Sequence, residues 1–296
     1  MTGKKARAPR RLVVAGLGYS GAAVAGAAAA AGWQVTGTAR DPSRMEAPPG
    51  VALIGFAEAA SAIAAATHLL VTAPPGEGGD PVLAAHAEAI RAAEGLRWIG
   101  YISTTGVYGD RGGAWVDEAT PPAPAQERSR RRVEAEQAWA TFSGGRAVDL
   151  FRTGGIYGPG RSAFDDLRAG RARRILKPGH AFGRIHRDDI ALAVLAAARQ
   201  DRPPGLRVLH LVDDEPAESA VVLEEAARLL GIAPPPAIPF AEAERGMSPM
   251  ARSFWAENRR VANAATKAAL GIAWRYPTFR EGLRAILIEE CGEAPA

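Results

Sequence analysis

The chain has 296 residues, of which 47% are hydrophobic and 23% charged, with a net charge of +4. This is the composition of a globular protein long enough to bury a sizeable core, as one large domain or two unequal lobes. A single cysteine, Cys291, excludes an intramolecular disulfide and a cysteine-based metal cluster, and no metal site is expected.

Residues 1–10, with Lys4-Lys5-Ala6-Arg7, read as a flexible basic tail without the apolar centre of a signal peptide. Arg11 to Ala15 is a short apolar run ended by glycine, the pattern of a parallel strand buried on both faces, and Ala22 to Ala31 is a helix ended by Gly32. Strands follow at Gln34–Thr38, Val51–Ile54 and Leu69–Ala73, with a helix at Ala57–Ala66. Asp80 and Pro81 supply the cap and first turn of a helix over Pro81–Ala93. Trp98–Ser103 is a fifth strand, Glu127–Phe142 a helix and Ala147–Arg152 a sixth strand. Beyond Pro159-Gly160 the pattern loosens. It leaves helices near Ala163–Ala169, at Asp189–Arg199 with Asp188 as cap, at Ala217–Leu230 and at Phe279–Glu290, a strand at Val208–Val212, and an irregular stretch from Ala233 to Arg252.

Repeated βα alternation predicts an α/β fold, a Rossmann-type doubly wound parallel sheet. The reading places a dinucleotide-binding domain at 11–160, completed by about 186–212, and a smaller substrate lobe at 161–185 and 213–290. No apolar run approaches the ~20 residues that span a bilayer, so no membrane partner is expected and the location is read as cytoplasmic. Arg128-Ser129-Arg130-Arg131-Arg132 reads as a solvated helix face, and nucleic acid is not an expected partner.

Gly16, Gly18 and Gly21 stand where the first strand gives way to the first helix, in a G-x-G-x-x-G run with Tyr19 and Ser20 in its loop. The first glycine permits the tight turn, the second lets backbone approach a pyrophosphate, and the third lets helix pack on strand. The helix N-terminus then offers its N–H groups to phosphate. A site selective for NAD places an acidic residue about 20 residues further on, at the end of the second strand, to take the ribose 2′-hydroxyl. Here that position holds Gly37-Thr38-Ala39-Arg40. Arg40, assisted by Arg44, favours the 2′-phosphate of NADP, while Asp41 keeps NAD open.

Four motifs in order carry a wider resemblance: the glycine run, Ser103-Thr104-Thr105-Gly106-Val107-Tyr108-Gly109, Arg152-Thr153-Gly154-Gly155-Ile156-Tyr157-Gly158-Pro159-Gly160, and Ile185-His186-Arg187-Asp188-Asp189-Ile190. Together they resemble the extended short-chain dehydrogenase/reductases. The most similar group is the atypical set described as nucleoside-diphosphate-sugar epimerase-like, within the NAD-dependent epimerase/dehydratases. The resemblance runs from about Arg11 to about Leu287. It implies an NAD(P)-dependent oxidoreductase or a sugar-nucleotide epimerase/dehydratase acting on a small molecule that the sequence does not identify.

The same resemblance implies that Thr104 hydrogen-bonds the substrate oxygen, with Thr105 as the fallback and Tyr108 as a packing residue. A hydroxyl that merely caps the end of the fifth strand is the other reading of Thr104. Ala73 and Pro74 are implied near the adenosine half, Ile156 and Tyr157 beside the nicotinamide ribose. A homodimer through the helices after strands four and five is implied too, and the arginine run weighs against it.

One departure matters for chemistry. Family members carry Tyr-x-x-x-Lys on the helix after the fifth strand, with a glutamate four residues past the lysine. Anchored on Glu136, that register puts Arg128 at the tyrosine and Arg132 at the lysine. A tyrosine of ordinary pKa about 10 is lowered by a nearby lysine and shuttles a proton, whereas arginine stays protonated and is no base. Arg132 can still bond ribose hydroxyls or an anionic substrate. His186 is the secondary proton carrier, or else a structural link between the lobes, and His180, Asp117 and Glu118 rank below it. A second function therefore stands beside the enzyme: a catalytically inactive NADP(H)-binding sensor or interaction protein.

Overall fold

The computed structural model describes residues 9–292, so the basic tail lies outside the described residues up to residue 8. Seven strands form the central sheet: β1 (Arg11–Ala15), β2 (Gln34–Ala39), β3 (Val51–Gly55), β4 (His68–Val71), β5 (Trp98–Thr104), β6 (Ala147–Thr153) and β7 (Gly205–Leu211). Their spatial order is β7-β6-β5-β4-β1-β2-β3. β1 runs parallel to both β2 and β4, β2 to β3, and β4 to β5, with Val13 level with Thr36 on one side and Leu69 on the other. The order reverses at β1 and β4, which is the doubly wound arrangement that the alternation predicted. The strands are continuous apolar runs because both faces are covered: every residue of β4 and β6 is buried.

The helices are α1 (Tyr19–Ala30), α2 (Ala60–Ala65), α3 (Pro81–Ala92), α4 (Glu127–Ala140), α5 (Ala163–Arg168), α6 (Arg187–Arg199), α7 (Ser219–Leu229), α8 (Phe240–Ala243), α9 (Pro249–Trp255), α10 (Ala264–Leu270) and α11 (Phe279–Cys291). None of the described helices is long and apolar enough to cross a membrane.

The chain divides into two compact units. The first holds the residues up to Ile102 with 134–150 and 194–207, and the second 103–133, 151–193 and the residues from Val208 onward. In the first unit Val14, Leu69, Leu70 and Ile99 form the sheet interior, and α1 buries Val24, Ala25 and Ala28, whose small side chains allow close approach to the strands. Asp80 caps α3 as its sequence suggests, accepting the Val82 and Leu83 N–H groups at 2.9 and 3.0 Å. Its second oxygen takes the Trp139 indole N–H at 3.0 Å, which ties α3 to α4. Asp149, fully buried on β6, accepts from Trp98 Nε1 at 2.8 Å, Arg207 Nε at 2.9 Å and Arg202 Nη2 at 3.1 Å.

The second unit has its own core, where Phe164, Phe279, Leu283 and Ile286 bring α5 and α11 together. Two readings of this region change. Asp188 is not the cap of α6, because the helix begins one residue before it. The His186 ring takes that role, its Nδ1 accepting the Asp188 N–H at 3.2 Å. The stretch from Ala233 to Arg252 is not featureless either: Ala237–Pro239 pairs with Arg174–Leu176, α8 follows, and α9 starts at Pro249 behind a Ser248 cap.

Candidate functional site

In the first unit the glycine run forms the turn from β1 into α1. Gly16 has φ of +105°, a left-handed conformation that a side chain would strain, and a methyl there would lie 2.8 Å from Thr72 Oγ1 and 3.1 Å from the Ala73 nitrogen. Gly18 occupies the N-cap position with no side-chain cap and with open space where its side chain would be. Gly21 is buried inside the first turn of α1, against the Gly16 carbonyl, where no β-carbon fits. α1 starts at Tyr19, three residues before the sequence placed it, so Tyr19, Ser20 and Gly21 supply its first N–H groups, with no acidic residue in that turn. An open helix N-terminus of this kind favours a negative group.

Neighbouring strands brace the turn. Thr38, fully buried at the end of β2, accepts the Gly16 N–H on its hydroxyl at 3.1 Å, and its carbonyl accepts the Leu17 N–H at 2.8 Å. After β4, Thr72 Oγ1 donates to the Gly16 carbonyl. Neither threonine stood out in the sequence, since both bonds depend on which strands lie beside β1. Ala73 and Pro74 open the exposed loop that follows Thr72, and the Ala73 N–H donates to the Ala15 carbonyl at 3.3 Å.

Past β2, Arg40 and Arg44 are exposed, and their guanidinium groups make no hydrogen bond or ion pair with the described residues. Asp41 is committed locally: its Oδ1 accepts the Ser43 hydroxyl at 2.6 Å and the Ser43 N–H at 3.1 Å. The carboxylate that kept NAD open is thus already serving a turn, while both arginines are unengaged.

The second unit carries the remaining candidates. Thr104 ends β5, and its Oγ1 accepts the Gly106 N–H at 3.1 Å, capping a single turn of 3-10 helix at Thr105–Tyr108. Capping uses one lone pair and leaves the hydroxyl proton available. Thr105 is buried at 8% exposure.

Tyr108 is fully buried. Its hydroxyl accepts from Arg152 Nη1 at 2.8 Å and lies against His210 Nε2, while His210 Nδ1 pairs with the Ala262 carbonyl at 2.7 Å. The bond to the carbonyl assigns the proton to Nδ1, so Tyr108 donates to Nε2. Burial lowers the His210 pKa and keeps the ring neutral. Glu118 accepts from Thr266 Oγ1 at 2.7 Å, and Asp117 from Thr120 Oγ1 at 2.8 Å, so these carboxylates hold local structure.

On α4, Arg128 is exposed and stacks 4.1 Å over the Phe254 ring of α9, and Arg132 is half-buried. Ile156 and Tyr157 lie on a short strand, Gly155–Tyr157, paired in parallel with Arg184–His186. The Tyr157 ring meets His186 edge-on at 5.2 Å, and its buried hydroxyl, directed at Gly282 of α11, has no hydrogen-bond partner among the described residues. His186 is 1% exposed, and burial brings its pKa down to about 4, so the ring is neutral near pH 7. Burial brings His180 down to about 4 as well. A cavity of about 490 Å³ in this unit is lined by Tyr157, Arg161, Arg173, Arg184 and Ser219 and by the carboxylates Asp165 and Asp166, with Leu283 on its apolar side.

No family model matches the chain. A functionally unknown conserved protein of Silicibacter pomeroyi is 44% identical, and its solved structure superposes with a TM-score of 0.85 over 95% of this chain and 99% of that one. A protein of Methylobacillus flagellatus assigned as an NAD-dependent epimerase/dehydratase is 26% identical, with a TM-score of 0.72 over 95% of this chain and 98% of that one. The human epimerase family protein SDR39U1, solved with NADPH, shares the fold at 20% identity, with a TM-score of 0.73 over 93% and 98% of the two chains. Protein YeeZ of Escherichia coli K12 is 29% identical over 245 residues, 76% of this chain and 86% of that one. A 3-diazoavenalumate denitrifying reductase of a Streptomyces species is 32% identical over 209 residues, 66% of each chain. With the sheet order, the glycine turn and these likenesses in agreement, the chain is similar to proteins of the NAD-dependent epimerase/dehydratase type and shares the doubly wound fold of SDR39U1.

Proposed function

We propose that this protein binds a nicotinamide dinucleotide, NADP in preference to NAD, and uses it to oxidise or reduce a small-molecule substrate whose reacting oxygen is held by Thr104. The observation that carries the reading is the turn at Gly16 to Gly21. Gly18 leaves open space before an uncapped helix N-terminus, and Gly16 and Gly21 have no room for a side chain, which fits a backbone cradle for a pyrophosphate. Backbone N–H groups of Tyr19 to Gly21 would hold the phosphates, and Arg40 with Arg44 the 2′-phosphate. Bound there, the nicotinamide supplies or accepts a hydride. SDR39U1, a relative in fold, was solved with NADPH, and another relative is named a reductase, which supports the same class.

On the protein side, Thr104 donates its hydroxyl proton to the substrate oxygen while Gly106 holds the other side of that hydroxyl. Arg128 and Arg132, where the resemblance places tyrosine and lysine, contribute fixed positive charge and no titrating proton. Arg161, Arg173 and Arg184 suit the cavity they line to the anionic part of a substrate such as a sugar nucleotide.

The arginines also support a second reading, in which the protein binds NADP(H) and performs no hydride chemistry. Thr104→Val separates the two. A carbonyl and sugar-nucleotide panel followed at 340 nm with NADPH or NADP should show turnover in the wild type that Thr104→Val removes, with NADPH affinity unchanged by fluorescence titration. Binding without turnover on the whole panel favours the sensor, and no binding of either dinucleotide at millimolar concentration overturns both.

A further inference from the structure

Ser129 sits in the first turn of α4, one residue beyond Arg128, inside a run that reads as surface. The structure buries it at 4% exposure, and its hydroxyl forms no hydrogen bond with the described residues. The preceding segment brings it inward. The Ala123 N–H donates to the Val107 carbonyl at 2.9 Å, and Gly109 packs on the Ala123 carbonyl so closely that no β-carbon fits. The proline-rich approach to α4 is thereby laid along the turn that Thr104 caps. A methyl built on Gly106 would lie 3.1 Å from Ser129 Oγ and 3.3 Å from Thr104 Oγ1, so the two hydroxyls flank the space that this glycine leaves empty.

We propose that Ser129 is a second substrate-contacting residue. Its hydroxyl and that of Thr104 form a two-donor cradle across Gly106 for the oxygen on which negative charge develops. Thr104 Oγ1 already accepts from the Gly106 N–H, so its proton points away from that bond, and Ser129 brings an uncommitted donor. Two hydroxyls aimed at one oxygen stabilise charge without titrating. Such a pair offers hydrogen bonding where the resemblance leads one to look for a phenol and this sequence has Arg128. The proposal rests on Thr104 as the oxygen-holding residue.

The test compares Ser129→Ala, Ser129→Thr, Gly106→Ala and Thr104→Val in NADPH oxidation with 9,10-phenanthrenequinone as the carbonyl probe, with NADPH affinity and Tm measured for each. A crystal structure of the wild type grown with NADP and soaked with the probe accompanies it. Ser129→Ala should lower kcat about 100-fold with NADPH affinity unchanged, Ser129→Thr should restore most of it, and Gly106→Ala should raise KM for the probe by filling the cradle. The crystal should show a probe oxygen or an ordered water within about 3.2 Å of both hydroxyl oxygens. Wild-type kcat in Ser129→Ala beside an inactive Thr104→Val overturns the Ser129 role and leaves the Thr104 reading standing. Full activity in both variants overturns both. If the probe is not turned over, the crystal decides, and a cradle that binds no oxygen overturns the proposal.

Discussion

Replacing Asp213 by asparagine should remove the pH dependence that this one carboxylate imposes on stability. Asp213 follows β7 and is 2% exposed, and neither carboxylate oxygen has a hydrogen-bond partner of good geometry among the described residues. Burial raises its pKa from 3.8 to about 8, and the nearby Arg184 offsets only part of that. An unfolded aspartate titrates near 3.9, below the folded value. The stability that the neutral form contributes is therefore complete below about pH 4 and is lost as pH rises through about 8. At about 1.4 kcal/mol per pH unit, the interval corresponds to between about 5 and 6 kcal/mol.

Asparagine keeps the neutral state at every pH. The variant should melt close to the wild type at pH 4 and gain on it steadily, to about 10 °C by pH 9, at roughly 2 °C per kcal/mol for a chain of this size. Thermal unfolding of both proteins from pH 4 to pH 9 in one buffer series gives the difference directly, and groups common to both cancel. Parallel melting curves across that range would refute an unpaired buried carboxylate at this position.

Gly16→Ala forces a side chain into a left-handed conformation and against Thr72, a strain of about 1–3 kcal/mol, and should weaken NADPH binding at least tenfold in a fluorescence titration. Arg40→Asp should weaken NADP by about 10- to 100-fold relative to NAD, the range of one charge-assisted contact, and equal loss for both dinucleotides would exclude a 2′-phosphate role. Asp149→Asn leaves Arg202 and Arg207 without their buried counter-charge. It should cost about 3–5 kcal/mol in chemical denaturation, with nucleotide affinity unchanged in the protein that remains folded.

What the sequence made legible was what is decided locally. Asp80 followed by Pro81 announces a helix start, because cap and first turn are set by adjacent residues, and the structure has that cap. The glycine run is legible for the same reason. The bracing of that turn by Thr38 and Thr72 was not, since those bonds form only after β2 and β4 settle on either side of β1. His186 replaced Asp188 as the cap of α6 through a one-residue shift of the helix start, which periodicity does not resolve. Ser129 was hidden most effectively. Four arginines surround it in sequence and mark the segment as solvated, whereas in the fold its side chain is buried and the Ala123 N–H bond to the Val107 carbonyl lays the preceding segment along that turn.

The two readings of Thr104 prove compatible once its bonds are counted. A threonine hydroxyl has one donor and two acceptor positions, and the cap on Gly106 consumes a single acceptor. Capping then orients the hydroxyl, since the group that stabilises the turn also holds the oxygen in place with its proton free. The same counting limits what arginine can do at 128 and 132. Either residue can stabilise negative charge, and neither can give up a proton near neutral pH. His186 and His210 do not supply one there either, because burial lowers the pKa of each and keeps both rings neutral. On the proposed reading, protein hydroxyls align the acceptor, and the proton for a reduction comes from water or a group other than these arginines and histidines.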